Sequence, residues 1–258
     1  MSKIKVVILA GGFGTRLSEY TEEIPKPMVT IGGIPILIHI MGLYAKHHYN
    51  EFIVATGYKS DVISSYFFKN SKKTIKNTLL KKVFEFQPDQ NDNKNVWKVT
   101  LIFTGIKTMT GGRIKKIKKE IKENYFMMTY GDGISNVNIT KLVSMHLKSK
   151  KIATLTAVRP PVRFGELILN GNNVREFSEK PKIQKGWING GFFVFKKTIF
   201  NFIDGDHIML EREPLEKVVK QGQLQAYKHE LFWQCMDTKR DKDILEDIWM
   251  NKKYIPWK

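Results

Sequence analysis

The chain has 258 residues, of which 42% are hydrophobic and 12% aromatic, enough for one α/β domain or one domain with a small appendage. Its single cysteine excludes an internal disulfide, and no run of about 18 apolar residues is present that could span a membrane. The formal net charge of +18 comes mostly from lysines spread along the chain, whereas nucleic-acid-binding proteins usually cluster their charge and use more arginine. We therefore expect a cytoplasmic protein that binds neither nucleic acid nor membrane, with no room for a signal peptide before the first strand.

The most informative motif follows a short apolar, β-branched run at residues 6–10, which predicts a buried strand. Gly11, Gly12 and Gly14 come directly after it and would let backbone N–H groups face an anion. Arg16 and Lys26 would add positive charge to such a site. The P-loop pattern is absent and the dinucleotide-binding pattern is only partly matched, so the residues alone predict a phosphate-binding loop of another kind, or a glycine-rich turn with an incidental arginine.

Strands and helices are predicted in alternation over the first 158 residues: strand 51–56, helices 35–48 and 60–68, strand 99–104, helix 114–123, strand 125–130, helix 138–148 and strand 152–158. Residues 70–98 break the pattern and are predicted to leave the sheet, with a hairpin near 83–86 and 96–99. Thr108 and Arg113 flank a threonine-glycine helix entry, which predicts a second anion site or a plain helix cap.

The second half is predicted to be richer in hairpins and to form an edge of the same domain. Its expected elements are a hairpin around 170–172, short helices near 198–203 and 212–220, a strand near 224–227 and a last helix at 239–250.

Two aspartates follow predicted extended segments. Asp132 lies between two glycines after the strand at 125–130, and Asp237 precedes the last helix. Ligands of open α/β sheets bind beyond the carboxyl ends of strands, so the two carboxylates could form a Mg²⁺ site. An ordinary turn for Asp132 and a helix N-cap for Asp237 are the alternatives.

Leu-Ala-Gly-Gly-Phe-Gly-Thr-Arg-Leu, followed by Pro-Lys-Pro-Met, resembles the signature of the sugar nucleotidyltransferases. These enzymes join a sugar 1-phosphate to a nucleoside triphosphate and release pyrophosphate. The resemblance implies an α/β fold: a single Rossmann-like domain with a mixed, mostly parallel central sheet and a smaller β-rich sugar-binding lobe. Residues 1–158 would form the nucleotide-binding half, and residues 159–258 the sugar-phosphate-binding half with the C-terminal helix.

Segments along the whole chain, including Thr-Tyr-Gly-Asp-Gly, Glu-Lys-Pro and Trp-Ile-Asn-Gly-Gly-Phe-Phe-Val, look like the glucose-1-phosphate cytidylyltransferase branch of that family. That branch uses CTP and glucose 1-phosphate with Mg²⁺, makes CDP-glucose for dideoxy sugars of the lipopolysaccharide O-antigen, and assembles as homo-oligomers, a hexamer being one expected state. Two positions depart from its pattern, Phe13 where leucine is usual and Cys235 where proline is usual.

By this resemblance, Arg16, Lys26, Asp132 and Asp237 are the catalytic residues, and the two aspartates are the Mg²⁺ ligands. The substrate-binding residues that it implies are Leu9, Ala10, Gly11, Gly12, Phe13, Gly14, Thr15, Arg16, Lys26, Thr108, Arg113, Gly131, Glu179, Lys180 and Asn189. Glu179, Lys180 and Asn189 are expected around the sugar phosphate. A uridylyl- or thymidylyltransferase and a non-catalytic sugar-nucleotide-binding protein are the alternatives.

Overall fold

The structure is a computed structural model that describes residues 4–89, 95–159, 166–178, 186–251 and 253–258. Its strands, in chain order, are β1 (Val6–Ala10), β2 (Thr30–Ile31), β3 (Ile34–Pro35), β4 (Glu51–Thr56), β5 (Ser71–Asn77), β6 (Lys81–Phe86), β7 (Trp97–Phe103), β8 (Tyr125–Tyr130), β9 (Gly133–Ser135), β10 (Ala153–Val158), β11 (Glu166–Asn170), β12 (Asn173–Ser178), β13 (Ile188–Asn189), β14 (Phe193–Lys196), β15 (Leu224–His229) and β16 (Trp233–Cys235).

The α-helices are α1 (Ser18–Thr21), α2 (Ile36–Lys46), α3 (Ser60–Asn70), α4 (Thr110–Lys116), α5 (Ile139–Ser149), α6 (Glu213–Lys220) and α7 (Lys239–Met250). Short 3₁₀ turns occupy Thr15–Leu17, Lys26–Met28, Lys118–Glu120 and Lys197–Phe202. The helix predicted at 114–123 is observed as α4, which both starts and ends earlier. Gly111 and Gly112 allow the earlier start, because they fit inside the helix against the backbone of residues 206–208. In the described part of the chain no helix is long and apolar enough to cross a membrane.

One large sheet organises the molecule, and β1 lies at its centre. Strands β8, β1, β4 and β7 are parallel neighbours in that order. All five residues of β1 are buried, and alternate residues enter two separate hydrophobic clusters, Val6 and Ile8 in one and Val7 and Leu9 in the other. Both faces of the central strands are therefore covered, as expected of a parallel sheet in an α/β protein.

Antiparallel strands extend this centre on both sides. Beyond β7 come β6 and β5, and beyond β8 come β14 and β10, which also pairs with β13 and runs parallel to β15. The α/β class is confirmed, but only the middle of the sheet is mostly parallel: among the described pairings of this sheet four are parallel and five antiparallel.

The prediction that residues 70–98 leave the sheet is wrong, whereas the hairpin predicted near 83–86 and 96–99 is confirmed by the antiparallel pairing of β6 with β7. β5 and β6 form a hairpin whose second strand pairs with β7, so this segment widens the sheet at one edge. β5 carries the sequence Ser-Lys-Lys-Thr-Ile-Lys-Asn and is largely exposed. Exposed lysines are typical of an edge strand, and they hide the alternation by which strands are recognised.

The prediction that the second half forms an edge of the same domain is confirmed in the described residues. β14 lies directly beside β8, and β10 and β15 continue the same sheet. Two short pairings of the second half stand apart from this sheet, the hairpin of β11 and β12 and the pairing of β16 with β9. In the described residues, the expected smaller β-rich lobe is thus represented by these two short sheets beside a shared large sheet.

Candidate functional site

The glycine-rich loop begins where β1 ends, at the carboxyl edge of the sheet. Gly14 has a positive φ of 69°, and a 3₁₀ turn follows at Thr15–Leu17. Residues of this loop line a cavity of about 340 Å³. The full lining is Leu9, Ala10, Gly11, Gly12, Gly14, Thr15, Arg16, Lys26, Pro27, Thr108, Met109, Thr110, Arg113, Tyr130, Gly131 and Asp132. Most of the substrate-binding residues expected from the sequence are therefore brought together here.

Lys26 joins the two predicted metal-binding aspartates. Its Nζ atom lies 2.7 Å from Asp132 Oδ2 and 2.6 Å from Asp237 Oδ1, and its side chain is only 9% exposed. Burial lowers the pKa of Lys26, but the two carboxylates more than offset this, so that the pKa is raised above its usual value. Arg16 Nη1 contacts the other oxygen of Asp237 at 2.6 Å. The four charges form a compact and electrically balanced cluster, and three of its members, Arg16, Lys26 and Asp132, line the cavity.

Strand pairing explains how two aspartates so far apart in sequence meet. β16 pairs with β9, so that Cys235 lies opposite Gly133, and the Met236 N–H donates to the Asp132 carbonyl at 2.8 Å. Because the two strands are antiparallel, Asp132, directly before β9, lies beside the residues that follow β16, which end in Asp237. Burial, followed by the negative charges of the two aspartates, raises the pKa of the Cys235 thiol to about 12.

The alternative in which Asp237 caps the last helix is wrong. Thr238 is the N-cap of α7, and it forms a capping box with Asp241. Asp241 Oδ2 also accepts hydrogen bonds from the backbone N–H groups of Asp237 and Thr238, at 3.1 and 2.9 Å. Because other groups satisfy the helix end, the Asp237 carboxylate can face Lys26 and Arg16.

Arg113 lies beneath the glycine loop and is only 3% exposed. Its guanidinium group donates to the carbonyls of Thr56, Gly105 and Gly11 and to the Thr104 hydroxyl, at 2.7 to 3.1 Å. Burial lowers the pKa of Arg113. These contacts give Arg113 a direct role in shaping the loop, and its contact with a nucleotide stays a prediction.

The remaining predicted site residues are spread more widely. Thr108 is buried and donates to the Thr104 carbonyl at 2.6 Å. Phe13 is 46% exposed and packs near the Tyr58 ring, with centroids 5.2 Å apart. Asn189 lines a neighbouring groove and donates to the Tyr130 hydroxyl at 3.3 Å. The predicted sugar-phosphate ligands Glu179 and Lys180 lie outside the described residues.

Sequence reasoning missed Thr110, Tyr130 and Glu211. Tyr130 could have been found from its place at the end of β8, two residues before Asp132, where ligands bind in this class of sheet. Glu211 lies in an irregular segment before α6 and carries no local signal. Only the folded chain reveals it, through contacts with Tyr130 and Thr110 at 2.6 Å.

The carboxylate pair fits a magnesium ion. Asp132 and Asp237 each direct one carboxylate oxygen at the Lys26 ammonium group, and the side chains of the two aspartates are 28% and 14% exposed. Mg²⁺ is typically held by one or two carboxylates, with waters and substrate phosphates completing its coordination. Within the described residues there is no cluster of three or more acidic, histidine or cysteine side chains that could enclose a metal. The donor set therefore suits a metal shared with a phosphorylated substrate.

Comparison with known proteins points to one family. The model of the nucleotidyl transferase family matches residues 5–239. The chain is 45% identical over 256 residues to a glucose-1-phosphate cytidylyltransferase of Salmonella typhimurium, covering 99% of both chains. It is 40% identical to a probable glucose-1-phosphate cytidylyltransferase of Bacillus subtilis, again over 99% of both.

A solved structure, HddC from Yersinia pseudotuberculosis, is 26% identical and superposes with a TM-score of 0.71 over 95% of this chain and 99% of its own. The resemblance to the sugar nucleotidyltransferases and to their glucose-1-phosphate cytidylyltransferase branch is confirmed by the two close sequence relatives. This chain belongs to the nucleotidyl transferase family and is an enzyme of the nucleotidyltransferase class.

Proposed function

We propose that this enzyme transfers the cytidylyl group of CTP to glucose 1-phosphate, giving CDP-glucose and pyrophosphate, and that it requires Mg²⁺. The observation that carries the proposal is the cluster in which Lys26 joins Asp132 and Asp237 beside the glycine loop. The choice of CTP and glucose 1-phosphate is supported by relatives at 45% and 40% identity that are named for this reaction.

The reaction needs charge neutralisation more than proton transfer. A phosphate oxygen of the sugar phosphate forms a bond to the α-phosphorus of the triphosphate, and the bond from that phosphorus to the bridging oxygen of pyrophosphate breaks. The attacking oxygen is already an anion, so no general base is needed. The difficulty is to bring highly charged reactants together and to stabilise the charge on the leaving group.

The residues of the site suit that task. The N–H groups of the glycine loop and the cations of Arg16 and Lys26 would bind the triphosphate and oppose its charge. Asp132 and Asp237 would hold the metal, which would neutralise phosphate charge when bound. The net charge of +18 would attract anionic substrates at low ionic strength. In this proposal the enzyme acts in the cytoplasm as a homo-oligomer and supplies the CDP-glucose of O-antigen biosynthesis.

The test is the release of pyrophosphate by the purified enzyme with CTP, glucose 1-phosphate and Mg²⁺ together, and with each omitted in turn. Release must need all three. Asp132→Asn and Asp237→Asn should abolish most of the Mg²⁺-dependent turnover, while Asp243→Asn, which changes an exposed carboxylate on α7 paired with Lys239, should retain it. Turnover of the wild type without added metal after chelation would reject the metal part of the proposal.

The base is tested separately. We expect the catalytic efficiency with CTP to exceed that with UTP and dTTP by at least about tenfold, since a mismatched base leaves a buried polar group unpaired. Similar rates with all three nucleotides would leave a nucleotidyltransferase without the cytidylyl preference.

A further inference from the structure

Trp257 lies far from the glycine loop in the sequence and is almost completely buried. Its indole stacks on the Phe232 ring with centroids 5.4 Å apart and on the Trp249 ring at 6.5 Å. Its Nε1 atom donates to His39 Nδ1 at 3.3 Å, and these two rings meet edge to face. Trp257 is therefore the point at which α2, α7 and the segment before β16 meet.

His39 connects Trp257 with the strand that follows Lys26. His39 Nε2 lies 3.0 Å from the Ile31 carbonyl oxygen on β2. A carbonyl only accepts and an indole N–H only donates, so Nε2 carries the proton and Nδ1 is the acceptor. Burial lowers the pKa of His39, which keeps the ring neutral at neutral pH and preserves this acceptor. A continuous chain of hydrogen bonds thus runs from Trp257 to β2.

Helix α2 holds the segment of Lys26 at two points. One is the contact of His39 with β2. The other is the start of the helix, where the Ile36 N–H donates to the Val29 carbonyl at 3.0 Å. The Val29 N–H in turn donates to the Lys26 carbonyl at 3.1 Å. The position of Lys26 therefore depends on the position of α2.

Phe232 supports the two aspartates from the opposite side. Its carbonyl accepts a hydrogen bond from the Ser135 hydroxyl of β9 at 2.8 Å, and the next residue begins β16. Asp132 directly precedes β9, and Asp237 follows shortly after β16. A shift of Phe232 would therefore be passed to both carboxylates.

We infer that Trp257 is a positioning residue that sets the distance between Lys26 and Asp237. It acts through its contacts with His39 and Phe232, and it does not line the cavity of the glycine loop. The inference rests on the proposed function, in which Lys26 and the metal held by Asp237 act at the transferring phosphate. A misplacement of about 1 Å can cost about 100-fold in rate even when the altered residue is far from the chemistry.

The test compares Trp257→Phe with Trp97→Phe. Trp97 is a matched control, because both tryptophans are 3% exposed and the Trp97 Nε1 atom also donates to a side chain, Asn95 Oδ1, at 2.7 Å. Trp97 packs against Phe52 and Phe86 and does not line the cavity. Thermal melting, kcat and the KM of each substrate are measured for both variants, and the free form of each is crystallised.

We expect both substitutions to lower the melting temperature by similar amounts, since each removes part of a buried ring system and one hydrogen bond. Only Trp257→Phe should lower kcat, by about tenfold, and this loss should exceed the change in either KM, because charges that act in the transition state are displaced. In its crystal structure, the contact of Lys26 Nζ with Asp237 Oδ1, which is 2.6 Å in the wild type, should be lost. Trp97→Phe should keep that contact.

His39→Gln tests the hydrogen bond separately. The glutamine amide places a donor near the position of Nε2, within reach of the Ile31 carbonyl, but it has no acceptor at the position of Nδ1. We expect kcat to fall. The double variant Trp257→Phe/His39→Gln should lose less than the product of the two single losses, because both changes remove the same contact.

Two results would overturn the inference. In one, Trp257→Phe melts at a lower temperature but keeps kcat within about twofold of the wild type, as Trp97→Phe does, so that Trp257 only fills the core. In the other, kcat falls while the crystal structure shows the contact of Lys26 with Asp237 unchanged. Failure of the proposed function is seen separately, in wild-type enzyme that releases no pyrophosphate from CTP and glucose 1-phosphate, and the contact can still be compared between the variants in that case.

Discussion

Lys26 occupies the position between two carboxylates that would otherwise repel each other. With Nζ 2.7 and 2.6 Å from Asp132 and Asp237, the ammonium group provides the positive charge that this pair requires in the free enzyme. A metal ion at the same carboxylates must compete with it. Under the proposed function we therefore expect two opposing effects of Lys26: it would disfavour metal binding to the free enzyme, and it would favour the reaction by adding charge near the transferring phosphate.

We predict that Lys26→Met binds Mg²⁺ more tightly than the wild type when no nucleotide is present. Turnover should fall by about two to four orders of magnitude, since charge stabilisation at the phosphate is lost. Calorimetric titration with Mg²⁺ measures the first effect and pyrophosphate release the second. Lys81→Met, which removes a partner of Glu120 far from the cavity, should change neither. Unchanged or weaker Mg²⁺ binding by Lys26→Met would contradict this account.

Gly11 and Gly12 look equivalent in the sequence, but the structure separates them. A Cβ on Gly11 would lie 2.1 Å from Arg113 Nη1, whereas a Cβ on Gly12 would meet no atom within 4 Å. The guanidinium group thus fills the space that a side chain at residue 11 would need. Gly12 faces open space in the cavity.

We predict that Gly11→Ala lowers the free energy of unfolding by about 1 to 3 kcal/mol, because Arg113 or the loop must shift. Gly12→Ala should stay within about 0.5 kcal/mol of the wild type, since nothing is displaced. Urea unfolding of both variants measures the difference. If Gly11→Ala and Gly12→Ala lower the free energy of unfolding equally, the loop can shift away from Arg113 at little cost and this account is wrong.

At the scale of the element, the start of α7 determines the direction of Asp237. Thr238 and Asp241 satisfy the helix end between them, and Asp241 also holds the Asp237 backbone. α5 begins with a comparable cap in which Asn138 accepts a hydrogen bond from the Lys141 N–H at 2.9 Å. Neither Asp132 nor Asp237 is adjacent to Asn138 in sequence.

We predict that Thr238→Ala and Asn138→Ala each lower the free energy of unfolding by about 1 kcal/mol, the usual cost of a lost N-cap. Only Thr238→Ala should also reduce turnover and Mg²⁺ affinity, because the Thr238 hydroxyl donates to Asp241 Oδ2 at 2.9 Å and so helps to orient the carboxylate that holds the Asp237 backbone. Chemical denaturation and initial rates of pyrophosphate release check the two effects. Full activity in Thr238→Ala would show that Asp241 alone keeps Asp237 in place.

The same element shows what the sequence could predict. The bounds of α7 and the turn after β8 were predicted correctly, because the caps and glycines that define them lie within a few residues. The meeting of Asp132 and Asp237 depends on the pairing of β9 with β16, about 100 residues away, and no local pattern encodes it. β5 was missed for a different reason: its exposed lysines suit an edge strand and remove the apolar alternation.

At the scale of the whole molecule, burial lowers the pKa of four histidines. These are His39, His47, His146 and His229, and burial is the main cause for each. The largest shift is that of His146, whose pKa falls to about 4, with repulsion from Lys196 as a second cause. His146 is fully buried, and its Nδ1 atom lies 2.7 Å from the Thr154 hydroxyl.

These shifts set the sign of the pH dependence of stability. The folded-state pKa of each of these four histidines is below that of the unfolded chain, about 6.5. As the pH falls below this value, the unfolded state therefore binds more protons than the folded state. The free energy of unfolding should therefore decrease from about pH 6.5 downward, and His146 alone should account for about 3 kcal/mol by pH 4. Denaturant titrations at pH 7, 6 and 5 measure this slope.

His146→Asn, which keeps a polar group near Thr154 but cannot titrate, should flatten the slope. His207→Asn, which changes an exposed histidine, should not. A slope that is the same in the wild type and in His146→Asn would mean that acid destabilises this enzyme through its other histidines or its carboxylates instead.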